Sequence, residues 1–213
     1  MADLTKMILP VCYLPPIDYY CHIIRNSNIL FEKFETYPKQ TFRNRTIILS
    51  ANGPLRLTIP VIKPYGNKTK TSDVLIDNNS SWNKIHIRAI NSAYNKSPFY
   101  LYYKDEIEEL ILKSGETLID FNISLFCLIN KFLRFQPNFE FTKEYIKDIK
   151  VNYDYRQYGK DHTVSDFTFK DYTQVFNDRI GFTPNLSIID LIFNKGPEAM
   201  EYLKNSVLKD EET

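Results

Sequence analysis

Seven residues, Lys39-Gln40-Thr41-Phe42-Arg43-Asn44-Arg45, gather three cations and two amides just ahead of a β-branched run. Guanidinium forks match the geometry of carboxylates and phosphates, so such a segment can form an anion site. If it is extended, Arg43 and Arg45 project to one face and Phe42 and Asn44 to the other. Two like charges side by side then call for an anion or an acidic partner between them. The commoner explanation of such a run is a solvated strand face. Lys39, Gln40, Arg43, Asn44 and Arg45 are taken as candidate anion- or substrate-binding residues.

His86 is the candidate catalytic residue. Helical spacing sets Trp82 one turn before it and Ile90 and Ala93 one and two turns after, at the border of an apolar stripe. An imidazole at such a border can act as a general base near neutral pH; it can equally be a satisfied core histidine. Tyr13 stands at the carboxyl end of the first expected strand, where open α/β sheets bind ligands. With Trp82 and Tyr94 it could wall a pocket. His22 is the weaker histidine, and His162 lies in a polar loop. Cys12, beside Tyr13, has no neighbour in sequence that would lower its pKa, and a buried apolar role fits it better. No Gly-rich phosphate loop, GxSxG elbow or paired Glu-Asp signature is present, and no histidine-carboxylate spacing implies a metal. No cofactor is expected.

These residues need elements to hold them. Met7 to Tyr13 reads as a strand stopped by Pro15-Pro16, with a helix from Ile17 to Asn26 and a second strand from Ile29 to Phe34. Thr46–Leu49 and Leu55–Val61 are β-type runs around an Asn52-Gly53 turn signal and predict a hairpin. A polar loop covers Lys63–Ser72, and a short strand follows at Val74–Asp77. Ser80 or Ser81 precedes a helix from Trp82 to about Asn95. Further helices are expected over Lys104–Lys113 and Glu116–Phe135, the second apolar nearly all round. Phe139–Tyr155 is ambiguous between turn and short strand, and Arg156–Lys170 is a polar loop. Asn185–Phe193 reads as a helix ended by Gly196, with Pro197 opening another. Strands crowd the first half and helices the second. The fold class expected is α/β, a mixed sheet in the N-terminal half (about 7–80) under a helical C-terminal layer (about 81–205), in a single domain over 1–213.

The chain has 213 residues, a net charge of +1, fifteen Tyr and fifteen Phe. That balance argues against a protein built for nucleic acid. Three cysteines without CxxC spacing suit neither a disulfide framework nor structural zinc, and a reducing cytoplasm is expected. No apolar stretch with a small-residue cleavage site follows the N-terminus. The longest apolar segment, Thr117 to Phe135, carries Asp120, Asn122, Asn130 and Lys131, so no membrane span is expected.

Several phrases together resemble the WbqC-like family: Tyr13-Leu14-Pro15-Pro16, Lys39 through Arg45, Ala51-Asn52-Gly53 with Leu57-Thr58-Ile59-Pro60, and Trp82 and His86 with Ala93-Tyr94 and Ser97-Pro98-Phe99. Tyr172-Thr173-Gln174-Val175-Phe176, Gly181-Phe182 and Asn185 to Gly196-Pro197 are similar to its C-terminal half. Some members carry His-Gln-Pro ahead of the Tyr-Leu-Pro turn; here Leu9-Pro10-Val11 stands there, so a histidine at that place is absent or moved. The family is associated with surface-polysaccharide (O-antigen) gene clusters. The resemblance implies a cytoplasmic transferase moving an aminoacyl or acyl group onto an amino sugar, its partner a small-molecule substrate, nucleotide-linked. A non-catalytic module that binds an anion or a partner through the same cations is the alternative, and a scaffold whose arginines pair only with its own acids is a third.

Overall fold

A computed structural model describes residues 6–147, 154–159 and 165–209. At its centre is an all-parallel sheet of β1 (Met7–Pro10), β2 (Asn28–Glu32) and β7 (Asn138–Phe141), in the order β1-β2-β7. An isolated parallel bridge from Ile8 to Asp154 extends it beyond β1. Met7 to Pro10 are buried without alternation, as expected of a parallel strand covered on both faces. β1 ends at Pro10, three residues before the expected Tyr13. The chain then turns through Leu14, at φ +39°, and Pro15-Pro16 into α1 (Ile17–Arg25), whose residues 17–23 are all buried. The α/β class expected from the sequence is the class observed, with helices gathered in the C-terminal part.

The hairpin also appears. β3 (Arg45–Ser50) pairs antiparallel with β4 (Gly53–Thr58), from Arg45 opposite Thr58 to Ser50 opposite Gly53. A smaller pair joins β5 (Val61–Ile62) to β6 (Leu75–Ile76). Three helices follow: α2 (Trp82–Tyr94), α3 (Tyr100–Leu112) and α4 (Leu118–Phe132). α4 is capped by Thr117, whose hydroxyl oxygen accepts from the Asp120 N–H at 3.3 Å. The chain closes through β8 (Phe167–Thr168), α5 (Asn177–Ile180), α6 (Ile188–Lys195), α7 (Ala199–Lys204) and β9 (Val207–Leu208). α3 starts four residues before the expected point because Tyr100, which is buried, anchors its first turn. His162 lies outside the described residues. Among the described residues no helix is long and apolar enough to cross a membrane.

The segment ahead of the hairpin departs from an extended geometry. Phe42 and Arg43 occupy a turn, and the strand starts only at Arg45. Arg43 and Arg45 therefore do not share a strand face. The turn is held on both sides: Tyr13 N–H donates to the Phe42 carbonyl at 2.8 Å, and Asn122 Nδ2, from α4, donates to the Arg43 carbonyl at 2.7 Å.

Candidate functional site

The carboxyl ends of β1, β2 and β7 converge on the turn that carries Arg43. This is the edge of a parallel sheet where connecting loops part and ligands bind. After β2 the chain supplies Glu35 and Tyr37, after β7 Thr142, and beyond the Asp154 bridge Arg156. Arg43 has no exposed surface. Its Nε donates to Glu35 Oε1 at 2.7 Å, and its Nη2 donates to the Arg156 carbonyl at 2.9 Å. Arg156 in turn grips Asp154 with Nε and Nη2, at 2.9 and 2.6 Å. That hydrogen bonding holds the Asp154 carboxyl below its usual range, and the same bonds raise the Arg156 guanidinium. Glu32, wholly buried at the end of β2, accepts through Oε1 from the Phe34 N–H at 2.7 Å and the Thr142 hydroxyl at 3.0 Å.

Beside this closed network lie polar atoms with no hydrogen-bond partner among the described residues: Arg43 Nη1, Arg45 Nε, Tyr37 Oη, Glu32 Oε2, Asn44 Oδ1 and Asn122 Oδ1. Leaving a buried polar atom unpaired costs about 1–3 kcal/mol, so each calls for a water, a ligand or a further side chain. Arg45 stands out, because it is half-buried and its side chain makes no hydrogen bond or ion pair with another described residue. The Tyr37 hydroxyl lies within the fields of both arginines. Burial pushes its pKa up, and Arg43 and Arg45 pull against that rise.

His86 belongs to an adjoining cluster of rings. Its imidazole stacks on Tyr13, centroids 5.6 Å apart, and meets Trp82 edge-on at 5.0 Å; Phe121 packs against both aromatics. His86 Nδ1 and the Tyr13 hydroxyl are hydrogen-bonded at 2.9 Å, and the Thr58 backbone favours the charged ring against the larger effect of burial. His86 is 3% exposed, and burial lowers its pKa from 6.5 to about 4. The ring is neutral at pH 7. Thr58 is the register partner of Arg45, and α2, which bears the imidazole, packs against β3 of the same hairpin.

The nine residues singled out from sequence thus fall into separate places. His86, Tyr13 and Trp82 form one sealed ring cluster. Arg43, Asn44 and Arg45 meet at the sheet edge, with Arg43 turned inward to Glu35 and only Arg45 partly open. Lys39 and Gln40 are exposed on the approach to the turn. Tyr94 lies elsewhere: its hydroxyl accepts from the Leu49 N–H at 3.4 Å, near the buried Asp190, whose Oδ1 accepts from Tyr172 and Gln174 at 2.6 and 3.0 Å. None of three surface clefts lined by described residues takes in His86, Arg43 or Arg45. Cys12 is buried, which pushes its thiol up to about 12. Glu32, Glu35, Tyr37, Asn122 and Arg156 went unmarked in the sequence. The one available signal was the pair of acids Glu32 and Glu35 within reach of a run of cations. Among the described residues no group of three or more His, Cys, Asp or Glu comes together to hold a metal ion.

No solved structure matches this chain. It is similar to an uncharacterized protein of Mycobacterium tuberculosis, Rv1507c, at 24% identity across 90% of this chain and 94% of that one. The model of the WbqC-like protein family matches residues 11–152 and 147–202, spanning the sheet edge, the hairpin, α2 and the Asp190 helix, and the chain belongs to that family.

Proposed function

We propose that the chain is a transferase that moves an acyl or aminoacyl group onto an amino sugar carrying an anionic handle, such as a nucleotide-linked sugar, in surface-polysaccharide assembly. The observation that carries the anion-binding half is the unengaged, half-buried guanidinium of Arg45 beside the unpartnered Tyr37 hydroxyl, at the carboxyl edge of a parallel sheet. A phosphate there gains a charged fork and a neutral donor already desolvated and held in place. Lys39 and Gln40 stand on the approach, where the Lys39 charge adds long-range attraction and the Gln40 amide a neutral donor. Arg43 and Asn44 build the floor. The transfer half is supported by family membership together with that family's association with polysaccharide gene clusters. In it the sugar nitrogen attacks the carbonyl carbon of the donor, the new C–N bond forms as the donor's leaving group departs, and the nitrogen gives up a proton. Tyr13, Trp82 and His86 act in this reading as the wall that fixes the Tyr13 turn; His86 is a positioning residue.

One observation favours the alternative of a non-catalytic anion-binding module. The histidine best suited to take a proton is sealed at 3% exposure, with its Nδ1 bonded to the Tyr13 hydroxyl. Two measurements separate the readings. Nucleotide-sugars and sulfate are screened by thermal shift; a ligand at 100 times its Kd raises native stability by about 2.7 kcal/mol. Arg45→Ala should lose that gain while melting within a few degrees of the parent without ligand. Mass spectrometry of a nucleotide-amino-sugar incubated with acyl and aminoacyl donors then reads product. Ligand-induced stabilisation that survives in Arg45→Ala removes the anion site, and binding without product leaves the module.

A further inference from the structure

We infer a second ligand site at the opposite, amino-terminal end of β7, for a small molecule in which a planar aromatic ring carries an anionic group. A cleft of about 490 Å³ opens there between the end of α4 and the start of β7, within the roughly 300–1,000 Å³ of small-molecule pockets. Its walls are rings. Phe126 and Phe139 meet edge-on at 5.6 Å, and Phe135 lines the cleft with them, half-buried. Asn130 lies in the wall at 5% exposure; its Nδ2 donates to the Phe126 carbonyl at 2.8 Å, and its buried Oδ1 accepts from no described residue.

The cation at the rim is Arg134. α4 ends in a double reverse bond: Phe135 N–H donates to the Asn130 carbonyl at 3.0 Å, and Arg134 N–H to the Lys131 carbonyl at 3.1 Å. This motif sets the residue after the cap in the left-handed region, where glycine is usual. Here Arg134 takes it, at φ +52°. A cation near a helix C-terminus offsets the helix dipole, yet Lys131 already stands in the last turn and could do so without strained backbone. Lys131 is also paired, at 2.5 Å, with Glu106, whereas the Arg134 guanidinium is exposed and engages no other described residue. The strained position therefore holds a free fork at the mouth of an aromatic cleft, an arrangement that pairs a stacked ring with an acid group.

Cys127 reports on occupancy. It is exposed and lines the cleft, while Cys12 and Cys21 are buried. Alkylation of the native chain by iodoacetamide, at mildly alkaline pH, is followed by mass with four probes at millimolar concentration: AMP, 4-hydroxybenzoate, adenosine and ribose 5-phosphate. AMP, 4-hydroxybenzoate or both should slow Cys127 alkylation several-fold, and whichever does so names the source of the ring. The ring without charge and the charge without a ring should leave the rate near that of the free protein. Arg134→Gly should weaken protection about 10-fold and melt no lower than the parent, because glycine relieves the left-handed backbone. Arg134→Asn, also tolerated there, should behave alike. Absence of protection by both aromatic anions overturns the site, as does equal protection by ribose 5-phosphate, or protection undiminished in both variants.

Discussion

At the scale of single residues, the two arginines that looked equivalent along the chain do opposite jobs. Arg43 has become a structural charge. It is wholly buried, and its fork is divided between Glu35 and the Arg156 carbonyl. Removing it leaves a carboxylate in a low-dielectric setting with its main partner gone, a loss of about 3–5 kcal/mol. Arg43→Ala should therefore lower the melting temperature by roughly 10 °C in a chain of this size. Arg43→Met combined with Glu35→Leu should recover most of that loss, since the unpaired charge is removed with its partner. Equal destabilisation by the single and double replacements would show that the ion pair is not what Arg43 supplies. The distinction was invisible in sequence because strand alternation would have put both arginines on one face, and a turn at Phe42-Arg43 breaks that parity.

At the scale of elements, the join between α2, α3 and α6 decides where the ring cluster sits. Phe99, in the link between α2 and α3, donates its N–H to the Phe193 carbonyl of α6 at 3.0 Å, and its ring covers Gly196. Gly196 ends α6 at φ +53°, and a Cβ there would come within 2.5 Å of the Phe99 ring. Gly196→Ala must meet both the left-handed backbone and the ring, and should cost about 2–4 kcal/mol. Gly115→Ala, at φ +72° with open space around it, meets only the first and should cost about 1 kcal/mol. Urea midpoints of the two variants read the difference; equal shifts would mean that the Phe99 ring yields freely. Elements of this kind were legible in the sequence where the signal is local. Asn52-Gly53 announced the hairpin, Pro15-Pro16 the entry into α1, and Gly196-Pro197 the end of α6. The candidate site was legible only in part. Tyr13, Trp82 and His86 meet because α2 packs on the hairpin, and Tyr37, Asn122 and Arg156 join Arg43 from three separate segments, pairings that no local spacing encodes.

At the scale of the whole molecule, burial of titratable groups ties stability to pH, and His86 sets a window that can be isolated. Its folded-state pKa is lowered by burial to about 4 against 6.5 for the unfolded chain. The native state thus binds fewer protons than the unfolded state across that interval. The contribution is fully present above pH 6.5, falls as the pH drops, and is gone near pH 4. A depression of that size corresponds to about 3 kcal/mol. His22, also lowered by burial, acts in the same direction. Asp18 and Asp190 are raised by burial, so each binds a proton more readily in the native state and offsets part of the acid loss. The total curve therefore mixes opposing signs, and a difference measurement separates them. His86→Gln keeps a side chain able to hydrogen-bond the Tyr13 hydroxyl but does not titrate. Between pH 7.5 and 4, the parent should lose about 3 kcal/mol more unfolding free energy than the variant, with the divergence starting near pH 6.5. Parallel curves over that range would mean that the imidazole is protonated in the folded chain, and would return His86 to the list of groups able to exchange a proton with a substrate.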